Sequence, residues 1–282
     1  ILIEFFYVND IYIIKVECSD EFTVFLRDNG QVYVCGYNAN GQFGLGDTNN
    51  RDTPELIDYF VNNNITITDI ACGKEHSIFL KDNGKVYSCG YNYFQQLGLG
   101  LGDTNNRNTP ELINYFVNNN ITITNIACGQ YHNIFLDSDG KIYGCGQNVN
   151  GELGLGNIIN KGIPTLISNL DNITDIACGN KHSMFLTSNG EVYSTGDNTY
   201  GQLGLGNTTQ RLTPTLINER KFEKIFTGSK SNGSFFINKI RVEVIPYDYD
   251  YKNKYIPVKN LNIPEPYKDW IKFNDDNTSN LL

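Results

Sequence analysis

The stretch IACGKEHSIFLKDNGKVYSCGYN, residues 70 to 92, places Cys72 and His76 four positions apart. On a helix that spacing would put a thiolate and an imidazole on one face, as half of a metal site or a Cys/His nucleophile pair. Just downstream lies QQLGLGLGD, residues 95 to 103, a glycine run of the kind that can cradle phosphate. Both readings weaken once the stretch is found again. It returns as IACGQYHNIFLDSDGKIYGCGQN (126 to 148) and as IACGNKHSMFLTSNGEVYSTGDN (176 to 198), at offsets of 56 and 50 residues, with weaker copies at 16 to 38 and 225 to 237. Repetition at such a period marks an architecture in which one supersecondary unit is stacked many times.

The turns make each unit readable. Asn29-Gly30, Asn83-Gly84, Asp139-Gly140 and Asn189-Gly190 offer the positive φ angles of a tight hairpin turn, flanked by apolar runs such as SIFL and KVYSC. A second block starts at Gly36, Gly90, Gly146 and Gly196, with the form GxNxxGQLGLG in its fullest copy. The prolines that follow, Pro54, Pro110, Pro164 and Pro214, each begin a short apolar run, and after a polar gap comes the β-branched ITITDI or NITDI. Four short strands per unit of about fifty residues give an all-β chain with almost no helix before residue 238: a β-propeller with four to five blades' worth of chain. The units fall near 16–70, 71–126, 127–176 and 177–225, with a partial copy at 225–237, and residues 238–282 form a non-repeat extension.

The pattern ACGxxHSxxL followed by NGxVYxCGxNxxGQLGLG resembles the repeat of the regulator of chromosome condensation family of propellers, over residues 1 to 237. That resemblance implies the propeller fold, whose usual ring in the family has seven blades and needs more chain than this. It constrains function less, because such propellers serve as Ran-type nucleotide exchange factors, as parts of ubiquitin ligases and as secreted inhibitors of enzymes.

Composition narrows the classes of partner. The formal net charge is −9 with a pI near 4.8 and there is no basic block, which argues against nucleic acid and anionic membrane. The apolar opening ILIEFFYVNDIYIIKV is broken by Glu4, Asn9, Asp10 and Lys15, so it reads as neither signal peptide nor membrane span. The expected setting is intracellular, cytoplasmic or nuclear. The first residue is Ile and the single Met is Met184, which leaves room for chain upstream. Abundant Asn, Ile, Lys, Tyr and Phe at the expense of Ala and Pro is the bias of an AT-rich genome.

The repeat also decides the chemistry-bearing residues. His76, His132 and His182 share one repeat position, and Phe22 holds it in the first copy. A catalytic or metal-binding residue occurs once, whereas one recurring at blade spacing solves the same packing problem each time. These histidines are expected to be buried, with ring nitrogens bonded to neighbouring backbone; a ring of ligands near the axis is the alternative. Six of the seven cysteines pair seventeen apart (Cys18/Cys35, Cys72/Cys89, Cys128/Cys145), while Cys178 faces Thr195. A unit that manages with Thr shows that the position wants a small side chain, so free buried thiols are expected, with no disulfide or zinc framework. The glycine block lacks the Lys and Ser/Thr of a P-loop and no helix follows it, so its glycines serve close approach between blades. No catalytic, cofactor or metal site is expected.

What remains is the unit that departs from its sisters. Where the others carry Asn-Gly or Tyr-Gly, the second reads Tyr93-Phe94-Gln95, and it alone has an extra Leu-Gly in LGLGLGD. Function tends to sit on loops of a rigid scaffold. Tyr91, Tyr93 and Phe94, extended by Tyr37 and Tyr200 on equivalent loops, are therefore the candidate contact residues of a non-enzymatic scaffold for another protein. The alternatives are guanine-nucleotide exchange on a Ran-type small GTPase, for which no wedge-like insertion is visible, and a propeller module of a ubiquitin-ligase system. In the extension, Tyr247, Tyr249 and Tyr251 alternate as on a strand, which is expected to replace the last blade's outer strands, with a docking segment for another chain as the alternative. The polar end 275–280 is expected to fray.

Overall fold

The computed structural model describes residues 2–168, 170–218, 220–228, 231–238, 241–245, 271–273 and 279–281. The chain opens with helix α1 (Leu2–Val8) and then lays down antiparallel sheets in strict succession. The first sheet is β1 (Ile13–Cys18), β2 (Phe22–Arg27), β3 (Val32–Gly36) and β4 (Arg51–Leu56), hydrogen-bonded in that order. After α2 (Asp58–Asn62) come β5 (Ile67–Cys72), β6 (His76–Lys81), β7 (Val86–Gly90) and β8 (Arg107–Leu112). Helix α3 (Asn114–Asn118) leads to β9 (Ile123–Cys128), β10 (His132–Asp137), β11 (Ile142–Gly146) and β12 (Lys161–Leu166). The fourth sheet is β13 (Ile173–Cys178), β14 (His182–Thr187), β15 (Val192–Gly196) and β16 (Arg211–Leu216). A fifth, three-stranded sheet holds β17 (Lys224–Phe226), β18 (Ser234–Asn238) and β19 (Arg241–Ile245).

Each sheet is a propeller blade. Its first strand is innermost: β1, β5, β9, β13 and β17 pack on one another in sequence around an axial cavity of about 360 Å³ lined by Lys15, Asn125, Asp175 and Lys224 among others. The second, third and fourth blades are each flanked by a blade on both faces, which is why β6, HSIFLK, is buried at five successive positions, whereas β1 of the first blade alternates and leaves Ile14 and Val16 exposed. The apolar core consequently lies between blades, as where Val24 and Val34 of the first meet Ile70 and Phe79 of the second.

Three local expectations are corrected. The polar gap between outer and inner strands is a single turn of helix in two units, because Phe60 and Phe116 plug the seam there, each about 5.0 Å from the ring of Phe79 or Phe135. In α1, the N-terminal counterpart, Phe6 lies 4.8 Å from Phe25. The hairpin turns use only one left-handed residue, the glycine (φ +83° at Gly30, +79° at Gly84), whose N–H bonds back to the carbonyl of Arg27 or Lys81. And Pro54 sits inside the outer strand, which starts at Arg51; on an edge strand its missing N–H costs no ladder bond.

The hydrogen-bonded frame runs 13–56, 67–112, 123–166 and 173–216, so each blade takes its inner strand from the end of the unit as cut in the sequence. The third strand of the fifth sheet is Arg241–Ile245, drawn from the extension. Tyr247, Tyr249 and Tyr251 lie outside the described residues. Of the end expected to fray, Ser279 and Asn280 belong to β21 (Ser279–Leu281), paired with β20 (Ile271–Phe273).

Candidate protein-interaction face

The face that carries the odd loop is built from the junctions between blades. Inner strands end, second strands begin, and the long loops between third and fourth strands emerge at one end of the sheets. In each long loop a fully buried Asn (Asn38, Asn92, Asn148, Asn198) acts as a staple. Its Oδ1 accepts the N–H of Phe43, Leu97, Leu153 or Leu203 at 2.9–3.0 Å, and its Nδ2 donates to the carbonyl of Asp47, Asp103, Asn157 or Asn207. The stapled loop leans on the next blade: a Cβ on Gly44 would lie 2.9 Å from Pro110, and one on Gly154 would lie 3.0 Å from Pro214. Close approach is therefore what these glycines provide.

The histidines reach across the same seams. His76 Nε2 is 2.8 Å from Asn133 Oδ1, His132 Nε2 is 2.9 Å from Ser183 Oγ, and His182 Nε2 is 3.0 Å from Ser234 Oγ. Asn133, Ser183 and Ser234 in turn donate to the carbonyls of Gln96, Glu152 and Gln202 on the preceding loops. Since those groups already donate onward, each imidazole must supply the proton from Nε2. The partners are thus side chains of the next blade, where backbone was expected. The rings pack against Gly73, Gly129 and Gly179, where any Cβ would come within 2.0 Å of Cε1. This explains the CGxxH spacing. Burial pushes the three pKa values below the ordinary 6.5, to about 4, 3 and 4, so the histidines are neutral links. Among the described residues no group of three or more His, Cys, Asp or Glu is placed to hold a metal ion.

Cys72, Cys89, Cys128, Cys145 and Cys178 are buried free thiols, with burial pushing Cys145 and Cys178 up to about 12. Cys89 and Cys145 face the carbonyls of Gln42 and Gln96, and at the equivalent place Thr195 Oγ1 donates to Gly151. A weak donor suffices there. Cys18 differs from its equivalents in being exposed.

The second loop gathers Tyr91, Tyr93 and Phe94 as the sequence suggested, and adds Tyr131 from the third blade. Phe94 packs 4.9 Å from Tyr131 across the seam, Tyr91 stands 5.8 Å from Tyr131, and Tyr91 and Tyr93 are stacked at 6.3 Å. Lys74 Nζ lies over the Tyr131 ring at 5.7 Å. Tyr93 is 64% exposed and Leu101, in the added Leu-Gly, 77%. Tyr131 was legible only as the residue before a repeat histidine, where its sisters are Glu75 and Lys181. Tyr37 and Tyr200 lie on the equivalent loops of the first and fourth repeats, outside this cluster.

The departure from glycine is compensated. Gln95 takes the place of Gly41, Gly151 and Gly201 and keeps their left-handed backbone, at φ +63°. On the facing strand of the next blade the other junctions carry Asn108 and Leu212, but this one carries Gly162, whose Cβ would fall 2.2 Å from Gln95 Oε1. The side chain has changed sides of the seam. Gln95 Oε1 also accepts the N–H of Gly102, holding the two-residue insertion in place.

Five successive blades with their inner strands around one axis define a β-propeller module. The model of the RCC1-like domain matches residues 4–239, and the chain belongs to that family. It is 32% identical over 165 residues to the human X-linked retinitis pigmentosa GTPase regulator, covering 58% of this chain and 16% of that protein. It is likewise 32% identical over 150 residues to the ultraviolet-B receptor UVR8 of Arabidopsis thaliana, covering 53% and 33%. Among solved structures it resembles human WBSCR16 (TM-score 0.69, 23% identity, 77% of this chain and 56% of that one). It also resembles yeast RCC1, Prp20, crystallised with Kap60 (TM-score 0.67, 23% identity, 77% and 52%). The chain therefore spans a third or less of the curated relatives named here and about half of these solved chains. No helix among the described residues is long and apolar enough to cross a membrane.

Proposed function

We propose that this propeller is a non-enzymatic module that binds another protein through its loop face at the junction of the second and third blades. The observation that carries the reading is a group of exposed apolar side chains on these loops, distinct from a second group, Tyr7, Val8, Tyr12, Ile14 and Val16, on and beside α1 and β1. Tyr93, Leu101, Val149, Ile158 and Ile159 all stand exposed on the loops of these two repeats. At the positions of Tyr93, Ile158 and Ile159 the first repeat has Ala39, Thr48 and Asn49, and the fourth has Thr199, Thr208 and Thr209. Aromatic and apolar groups grouped in this way are the usual centre of an interface.

A second reading draws on the relatives' names, which include a GTPase regulator and a yeast protein described for its binding to Gsp1p and histones. Exchange on a small GTPase has less support on this chain, since the only added length in the second loop is Leu101 and Gly102. Two assays separate the readings. The chain and its Tyr93→Ala/Leu101→Ser variant serve as baits in the same cell extract, and proteins retained by the first should be lost from the second; identical retention would sink the loop face. Labelled GDP release from a Ran-type GTPase should run at the same rate with and without the chain, and saturable acceleration would promote the exchange reading.

A further inference from the structure

The interaction reading leaves the chemistry of the partner open, and the charges around the patch narrow it. In the first repeat Arg51 stands between Asp47 and Glu55, and in the second Arg107 stands between Asp103 and Glu111, each guanidinium paired with both carboxylates. In the third repeat the cation is Lys161, while both carboxylates are gone: Asn157 and Thr165 hold their places. Lys161 makes no ion pair among the described residues. It lies two residues from the exposed Ile159 and next to Gly162, whose carbonyl accepts the N–H of Gly100 at 3.0 Å and so brings the tip of the second loop, with Leu101, alongside. Arg211 in the fourth repeat also lacks both carboxylates, but it donates to the carbonyls of Thr209 and Gln210 and has threonines in place of the isoleucines.

A continuous band therefore follows one seam outward, from Tyr131 and Phe94 through Gln95 to Leu101, Ile159 and Lys161. The rings at its inner end fill their own space, with centroids 4.9–6.3 Å apart, so they form a packed ridge and leave no cage for a methylated ammonium group. Lys74 lies over Tyr131 but is already paired with Glu75 at 3.5 Å, so the unmatched charge of the strip is that of Lys161. In a chain of net charge −9 this strip has a positive group without its usual counter-charges.

We propose that this strip binds an extended acidic peptide segment, with apolar side chains against Tyr93, Leu101 and Ile159 and a carboxylate on Lys161. The strip runs along one seam, a line that an extended segment can follow, and Lys161 is half-buried, so an ion pair there is screened less than a fully exposed one. The proposal rests on the loop-face reading and adds the sign of the partner's charge.

The probe is a phage-displayed library of random dodecapeptides selected on the purified chain. Selected peptides are then titrated against Lys161→Glu, Lys161→Gln, Arg211→Glu and Tyr93→Ala/Leu101→Ser variants whose melting matches the parent. Enriched peptides should pair Asp or Glu with apolar residues. Their affinity should fall about tenfold or more with Lys161→Glu and with the Tyr93/Leu101 variant, less with Lys161→Gln, and hardly at all with Arg211→Glu. Neutral or basic peptides that still need Tyr93 would overturn the acidic partner and leave the loop face standing. Peptides indifferent to Tyr93 and Leu101 would overturn both. A library without binders would overturn the peptide proposal alone, since the extract comparison tests the face independently.

Discussion

The first and second blade junctions are built on the same staple and are opposite in character. At the first, Asn40 donates to Glu75 at 3.3 Å and accepts from Asn106 at 3.0 Å, and Phe22 fills the histidine position against Phe43. At the second, Phe94 meets Tyr131, His76 reaches Asn133, and a glutamine has replaced the loop glycine. One seam is polar at its surface and apolar beneath; the other reverses this. At these two junctions surface and buried layers differ together, whereas the third, with Asn150 at the surface and His132 reaching Ser183 beneath, is polar in both.

The strongest way to break the comparison is to undo the compensation. Gly162→Asn restores what the first junction has at Asn108, but against Gln95 Oε1 and the carbonyl of Gly100, so it should cost about 2 to 3 kcal/mol in urea unfolding. Gln95→Gly in the same chain should recover part of that loss, because only the Gln95 clash is removed. A double-mutant cycle with no coupling would show that the swap across the seam is incidental.

Acid should separate the junctions next. His76, His132 and His182 have folded pKa values depressed below 6.5, so the unfolded chain binds more protons. Their contribution is whole above pH 6.5 and is lost as pH falls towards 4. At pH 5 each should have lost about 1 to 2 kcal/mol, partly offset by Glu152 and Asp175, whose burial raises their pKa and favours the folded state in acid. Amide exchange at pH 5.5 should loosen the seams of His76, His132 and His182 before the seam of Phe22, which cannot titrate. Uniform loosening would mean that the histidines do not set acid stability. At neutral pH, His132→Ala should cost about 1 to 3 kcal/mol through the partners it leaves unpaired.

Smallest are the effects at the surface of the second seam. Phe94→Asn, which imports the first junction's residue, should cost about 1 kcal/mol by losing Tyr131. Tyr93→Ala, at a site 64% exposed, should change stability by less than about 0.5 kcal/mol. A larger loss at Tyr93 would mean that it belongs to the scaffold.

Much of this was legible because repetition let the sequence act as its own alignment. The strands, the burial of the recurring histidines and the closeness of Tyr91, Tyr93 and Phe94 follow from comparing units. The rest depended on contacts between units. Nothing in QQLGLG shows that Gln95 faces Gly162, since 67 residues and a blade boundary separate them. Tyr131 joins the aromatic patch only once neighbouring blades are set side by side. The helices α2 and α3 were hidden because five residues around one buried Phe leave no periodicity to read.

The exchange between Gln95 and Gly162 also bears on how such an array can change by descent. Repeats this similar invite duplication, and a copied unit would inherit its loop from one parent and its neighbour by accident of position. A second copy of residues 67–122 placed in tandem would bring Gln95 against Asn108, two side chains where the seam has room for one. The place of the second blade is therefore written into the chain, and it can be gained or lost only together with the half of the third blade that it faces.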